Sequence, residues 1–252
     1  MELLVCVKQV PDDSVSVKLG ADGQPDIKEI TPVVNAFDTY ALEMAARFKE
    51  ANGGAVTVLS VGALDAVTPA LRSCLAVGAD TAYCVNETEG CVKKMIAEAS
   101  RKAGNFDVIF VGSESTDLGS MEVGARVAAK LDLPFVSNIL ALEPAEGGLK
   151  IKQETETGYR TIEVSTPCVV SVVKPDYEPR YPSIKSKMAA RKMPIAELKA
   201  ADLGVETTCC GKVETVKFEA PAKRQAGVKI VEKEMEVAVG RAMEMLAERK
   251  LV

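Results

Sequence analysis

The sequence predicts an α/β fold: a parallel-centred, doubly wound sheet with antiparallel additions and a C-terminal helical arm. Three observations carry that expectation. Short apolar runs alternate with helix-period segments through residue 132. After Pro134 the texture changes to strand patterns joined by short turns. Residues 231–252 then read as one helix with Met and Leu along a face.

The elements follow in order. "ELLVCVKQV" (2–10) is a buried strand, and "GADGQPD" is a turn-rich insertion. "DTYALEMAARFKEA" (38–51) begins on Asp38 as N-cap and repeats apolar residues at helical spacing. "AVTVLSVG" (55–62) is a strand, "LDAVTPALRSCLAVG" (64–78) a helix closed by Gly78, and "DTAYCV" (80–85) a strand. "EGCVKKMIAEASRKAG" (89–104) is a helix, "DVIFVG" (107–112) a strand, and "SMEVGARVAAKLD" (120–132) a helix. Such a βαβαβαβα series demands right-handed crossovers and helices on both sheet faces. "FVSNILALEP", "GLKIKQETE", "YRTIEVST" and "CVVSVVKP" are expected as antiparallel additions. Residues 176–198 run through prolines into a basic amphipathic stretch, and a polar segment at 204–227 precedes the terminal helix. The expected division is 1–198 as an α/β domain and 199–252 as a C-terminal arm.

Composition removes whole classes of function. The apolar runs fall well short of the roughly 20 residues that a membrane span needs. The N-terminus lacks a basic leader region, and a net charge of −5 opposes nucleic-acid binding. Seven cysteines form no C-x-x-C pair, so a cytoplasmic chain without a metal site is expected. Adjacent Cys209 and Cys210 are either two loop thiols or a ligand pair or redox switch. The chain has no histidine. That excludes Ser-His-Asp and Cys-His catalysis and the usual zinc sites, and no catalytic residue stands out.

In doubly wound sheets ligands sit beyond the carboxyl ends of the strands, where strand order reverses. Those ends carry "KQVPD", "SVGALD" and "VGSESTD". In "VGSESTDLGSMEVGA" (111–125), Gly112, Gly119 and Gly124 permit close approach or positive φ before a helix N-terminus. The loop matches neither a Walker A nor a G-x-G-x-x-G pattern, and it has no phosphate-facing lysine. From pattern alone it is equally a phosphate cradle or a plain turn. Asp117 is an adenine or ribose acceptor or a cap for the next helix. Asn35 and Asp38 in "VVNAFD" read an adenine edge or cap their helix.

Several of these pieces together resemble the β subunit of electron transfer flavoproteins, over nearly the whole chain. "VCVKQVPD", "NAFD", "LSVG", "LAVGAD" and the 111–125 loop match that family's landmarks, and "TPCVVSVVKPDYEPRYPSIKSKMAARKMPI" matches its signature segment. The resemblance implies an adenine nucleotide alpha hydrolase-like fold and a heterodimer with an α subunit that holds the redox-active FAD. It also implies an adenine nucleotide in this chain, AMP or a second FAD. The implied contacts are Cys6, Asn35, Ala36, Phe37, Asp38, Val61, Gly112, Ser113, Glu114, Ser115, Thr116, Asp117, Leu118, Gly119, Ser120, Met121, Glu122 and Val123. Ile184 falls at the family's docking position for acyl-CoA dehydrogenases, flanked by Lys185, Lys187, Met188, Arg191 and Lys192. Read from pattern alone, Ile184 is a helix core residue, and the basic residues are a solvated face.

The sequence departs from the family at Ala36, where Pro is usual, and at Leu118 and Glu122. These features resemble the branch linked to nitrogen fixation, carnitine metabolism and anaerobes. Glu122 pointing inward would repel a phosphate by about 4 kcal/mol at 4 Å and an effective dielectric of 20. "VKQVPD" with Asp38 favours FAD over AMP. The expected function is electron carriage between flavin dehydrogenases and a downstream acceptor, with flavin-based bifurcation as one form of it. The alternative is a nucleotide-binding sensor of the universal-stress type acting without an α subunit.

Overall fold

The computed structural model describes residues 1–205, 215–223 and 226–252. Cys209 and Cys210 lie outside the described residues. Two units are distinguished: Met1–Val17 with Asp26–Thr215, and Lys18–Pro25 with Val216–Val252. The expected boundary at 198/199 falls inside the first unit.

In chain order the elements are β1 (Glu2–Cys6), β2 (Gln9–Pro11), β3 (Lys18–Leu19), β4 (Pro25–Asp26), β5 (Pro32–Val34) and α1 (Ala36–Asn52). There follow β6 (Ala55–Val61), α2 (Leu64–Ala76), β7 (Thr81–Val85), α3 (Val92–Ala103), β8 (Val108–Gly112) and α4 (Val123–Leu131). Then come β9 (Phe135–Ala145), β10 (Gly148–Thr155), β11 (Gly158–Ser165), β12 (Cys168–Val172), α5 (Ile184–Ala190), β13 (Ile195–Leu198), a 3-10 turn (Ala200–Leu203) and α6 (Met235–Glu248).

The main sheet has the order β11-β10-β9-β12-β8-β1-β6-β7-β13. Neighbours from β9 through β13 pair in parallel, and β10 pairs antiparallel with both β9 and β11. Side-chain alternation explains the two layers. Leu3 and Val5 of β1 enter one core with α1 and α2, whereas Leu4 and Cys6 enter the other with α3 and α4. Val108 and Phe110 against Ile109 and Val111 do the same in β8. Strands buried on both faces read as continuous apolar runs, which is why "ELLVC" and "DVIFVG" were legible. From β1 the chain proceeds to β6 on one side, and β8 returns on the other. The carboxyl ends of β1 and β8 therefore form the point where winding reverses.

Three expectations need correction. "CVVSV" is not an antiparallel addition: β12 lies between β8 and β9 and is parallel to both. Its near-continuous apolar pattern, broken only by Ser171, is that of a strand covered on both faces, and its five residues are all buried. The basic amphipathic stretch into which residues 176–198 run is not one element. Seven-residue α5 ends before Pro194, and β13 then pairs with β7, Ile195 opposite Ala82. Asp38 is not an N-cap. Asn35 holds that position, and Asp38 lies inside the first turn, buried.

In the second unit, α6 has no buried residue. No helix among the described residues is long and apolar enough to cross a membrane.

Candidate functional site

A cavity of about 220 Å³ opens at the reversal point, lined by residues following β1 and β8, the end of β6, the first turns of α1 and α3, and the 112–123 loop. Its walls include Cys6, Val7, Leu59, Val61, Ile96 and Val111, and its polar rim includes Lys8, Lys93, Ser113, Ser115 and Ser120.

Asp38 braces the rear of this cavity. Its Oδ2 accepts a bond from the Lys8 amide at 2.7 Å, and its Oδ1 accepts one from the Gly112 amide at 3.0 Å. One carboxylate thus ties the ends of β1 and β8 to the start of α1. Burial pushes the Asp38 carboxyl up to about 7, against the pull of the Lys8 amide, Asn35 and the Gly112 amide. Gly112 is required by this approach. A Cβ there would collide with Asp38 Oδ1 and lie 2.8 Å from Phe37 Cβ.

Asn35, 1% exposed, secures the loop. Its Nδ2 donates to the Glu114 carbonyl at 2.8 Å, and its Oδ1 accepts from the Thr116 amide at 3.1 Å. The Asn35 amide donates to the Lys8 carbonyl at 2.9 Å. Asn35 therefore uses side chain and backbone to hold loop and strand together. Its side chain makes no cap bond to its own helix.

Both lysines at the mouth are paired. Lys8 Nζ lies 2.8 and 2.6 Å from the two carboxylate oxygens of Asp117. Burial opposes ionisation of Asp117, but bonds from Lys8 and Ser115 outweigh it and hold the carboxyl below its usual range. Glu122 bonds Lys93 and lies 2.7 Å from Arg126, and the Lys93 bond first of all holds its carboxyl low. The expected Glu122 repulsion is thus offset by two cations within its reach. Asp117 does not cap α4, whose first turn has no side-chain cap bond. Those uncapped amides, with the positive end of the helix dipole, border the cavity. Met121 at the mouth holds φ at 52°, uncommon for a residue with a side chain.

Of the expected contacts, Cys6, Asn35, Asp38, Val61, Gly112, Ser113, Glu114, Ser115, Leu118, Ser120, Met121, Glu122 and Val123 line the cavity. Ala36, Phe37, Thr116, Asp117 and Gly119 do not, though Thr116 and Asp117 bond residues that do. Cys6 is buried, and desolvation pushes its thiol far up, so it remains a neutral wall. Sequence reasoning missed Val7, Lys8, Leu59, Val92, Lys93, Ile96 and Val111. Period-2 alternation in β6 and the position of Lys8 just past β1 were the available signals. Lys93 had none, because it arrives from a separate helix.

The second candidate surface is α5. Ser183 caps it, accepting a bond from the Ser186 amide at 3.1 Å. Ile184 is 81% exposed and Met188 60%, so the core reading of Ile184 does not hold. Lys185, Lys187, Arg191 and Lys192 are exposed beside them.

Residues 28–203 match the family described as "Electron transfer flavoprotein domain". The electron transfer flavoprotein subunit beta of Syntrophomonas wolfei subsp. wolfei is 36% identical over 250 residues, covering 98% of this chain and 96% of that one. The chain belongs to the electron transfer flavoprotein β-subunit family. The protein of the same name from Thermoanaerobacterium thermosaccharolyticum is 34% identical, with both chains covered in full. The caffeyl-CoA reductase-Etf complex subunit CarD of Acetobacterium woodii is 32% identical over 84% of this chain and 83% of its own. The cavity's chemistry fits the adenine nucleotide that the family resemblance implies. Apolar walls at Leu59, Val61, Ile96 and Val111 suit a flat ring, while serine hydroxyls, two lysines and the α4 terminus suit phosphate.

Proposed function

We propose that this chain is the β half of a heterodimeric electron carrier, that its cavity seats an adenine nucleotide, and that α5 docks the flavin dehydrogenase that supplies electrons. The supporting observation is convergence. Asn35, Asp38, the strand ends Cys6 and Val61, and the 112–123 loop, far apart in sequence, border one cavity at the winding reversal. A redox FAD held mainly by the α subunit supplies the one- and two-electron chemistry. This chain's residues orient, exclude water and dock. Lys8 and Lys93 would receive phosphate, each exchanging part of an existing ion pair. Leu59, Val61 and Ile96 would enclose the base. Electron carriage needs proximity rather than an acid–base side chain, which agrees with a chain that has no histidine. The dehydrogenase is of the acyl-CoA dehydrogenase class, its acidic surface meeting Lys185, Lys187 and Arg191. Bifurcation, in which the β-chain nucleotide is a second FAD, is one form of this reading.

Co-expression with an electron transfer flavoprotein α subunit, then flavin and AMP counts on the purified pair, tests this reading. A stable pair with one FAD plus AMP indicates a simple carrier, and two FAD indicate bifurcation. A colourless, monomeric chain that never retains α refutes the heterodimer.

A further inference from the structure

The docking helix is too short to hold its own geometry. Seven residues lie well below the roughly 12–15 at which an isolated helix becomes even marginal in water. Only Ala190 of α5 is buried. The approach to it, Glu178–Pro182, leaves a gap against the body of the domain. It spans a cavity of about 500 Å³ between that segment, α1, α2 and Pro32–Val34. Apolar packing therefore contributes little to fixing where Ile184 and Met188 point.

Two arginines supply what packing does not. Upstream, Arg180 Nε donates to Glu43 Oε2 at 2.8 Å, the Arg180 amide donates to the same oxygen at 3.1 Å, and Nη2 donates to Glu50 Oε2 at 3.0 Å. Downstream, Arg72 of α2 reaches across to the C-terminal end of α5. Its Nη1 donates to the Ala190 carbonyl at 2.5 Å and also to the Met193 carbonyl. Carbonyls at a helix C-terminus have no intrahelical donor and carry partial negative charge, so a guanidinium there is both cap and counter-charge.

We propose that Arg72 is a positioning residue for electron delivery: by capping the end of α5 from α2, it fixes the angle at which Ile184 and Met188 meet the dehydrogenase. The proposal rests on the docking reading of α5 above. Arg72 itself takes no part in the contact. Removing it leaves Ser183 capping one end of α5 and no side-chain donor on the Ala190 and Met193 carbonyls at the other, so the helix frays and each encounter must reorder it. The cost falls on encounter, not on transfer within the docked complex.

The test uses the assembled αβ pair. Reduction by an acyl-CoA dehydrogenase with its acyl-CoA substrate is compared with reduction by dithionite, which needs no docking. Arg72→Met should raise the KM for the pair about five- to tenfold, leave kcat within twofold and leave the dithionite rate and nucleotide content unchanged. Arg72→Lys, which keeps a charge but not the two-carbonyl reach, should fall between. An unchanged KM in Arg72→Met, while Ile184→Ala raises it, overturns the proposal and leaves docking at α5 intact. An unchanged KM in Ile184→Ala overturns the docking reading and the proposal with it. Loss of nucleotide or of dithionite reduction in Arg72→Met makes Arg72 a general structural residue and also overturns the proposal.

Discussion

At Asp38, one buried carboxylate serves two backbone donors, and this distinguishes bracing from base recognition. Asn in its place has nearly the same shape but turns one acceptor into a donor facing an N–H. Asp38→Asn should therefore cost about 1–3 kcal/mol of stability, the usual penalty for an unmatched buried donor. Chemical denaturation measures it, and an unchanged midpoint would mean that the two amide bonds carry little. The pH dependence has a definite sign. Burial raises the Asp38 carboxyl from the ordinary carboxylate value to about 7, so the folded chain binds a proton more readily than the unfolded one between those values. Its contribution to stability is greatest below the unfolded value and is lost as pH rises through about 7. Wild type should thus lose melting temperature relative to Asp38→Asn between pH 5 and pH 8, the variant lacking that proton. Only the position of Asp38 was legible from sequence. "NAFD" placed it at a helix start, where capping is the ordinary role, and its partners Lys8 and Gly112 are 30 and 74 residues away.

At the scale of elements, the main-sheet strands and the helices of the first 132 residues were legible because both faces of the sheet are covered. The short strands β2 to β5 were not, and the 2–10 run is two strands rather than one. What failed was pairing. β12 follows an antiparallel hairpin in the chain yet enters the middle of the parallel sheet, and no local pattern encodes that insertion. β13 was hidden because four residues after a proline carry too little periodicity. The loop at 112–123 was legible as glycine- and serine-rich, but its anchorage by Asn35 is a long-range fact. Helix packing here sets a further limit. A Cβ on Gly124 would lie 2.7 Å from Phe135 Cε2 and 2.8 Å from Val111 Cγ2, so α4 approaches β8 and β9 as closely as a glycine allows. Gly124→Ala should destabilise the chain by about 1–3 kcal/mol through overpacking. Thermal melting should show the loss, and a neutral result would mean that the helix can shift.

Across the whole chain, the exposed features are as informative as the core. α6 leaves Met235, Val239 and Met243 exposed at helical spacing, and none of its residues is buried. Such a helix is marginal alone in water. Its amides should exchange within seconds in the isolated chain and gain protection when the α subunit is bound. Equal exchange in both states would place α6 outside the subunit interface. The central claim concerns the cavity, and nucleotide content tests it most directly. The αβ pair should release one adenine nucleotide beyond the α-subunit FAD, and Asn35→Ala should abolish that second nucleotide while Ile184→Ala retains it. A pair that holds only the α-subunit FAD, or an Asn35→Ala pair with its second nucleotide intact, would contradict the account.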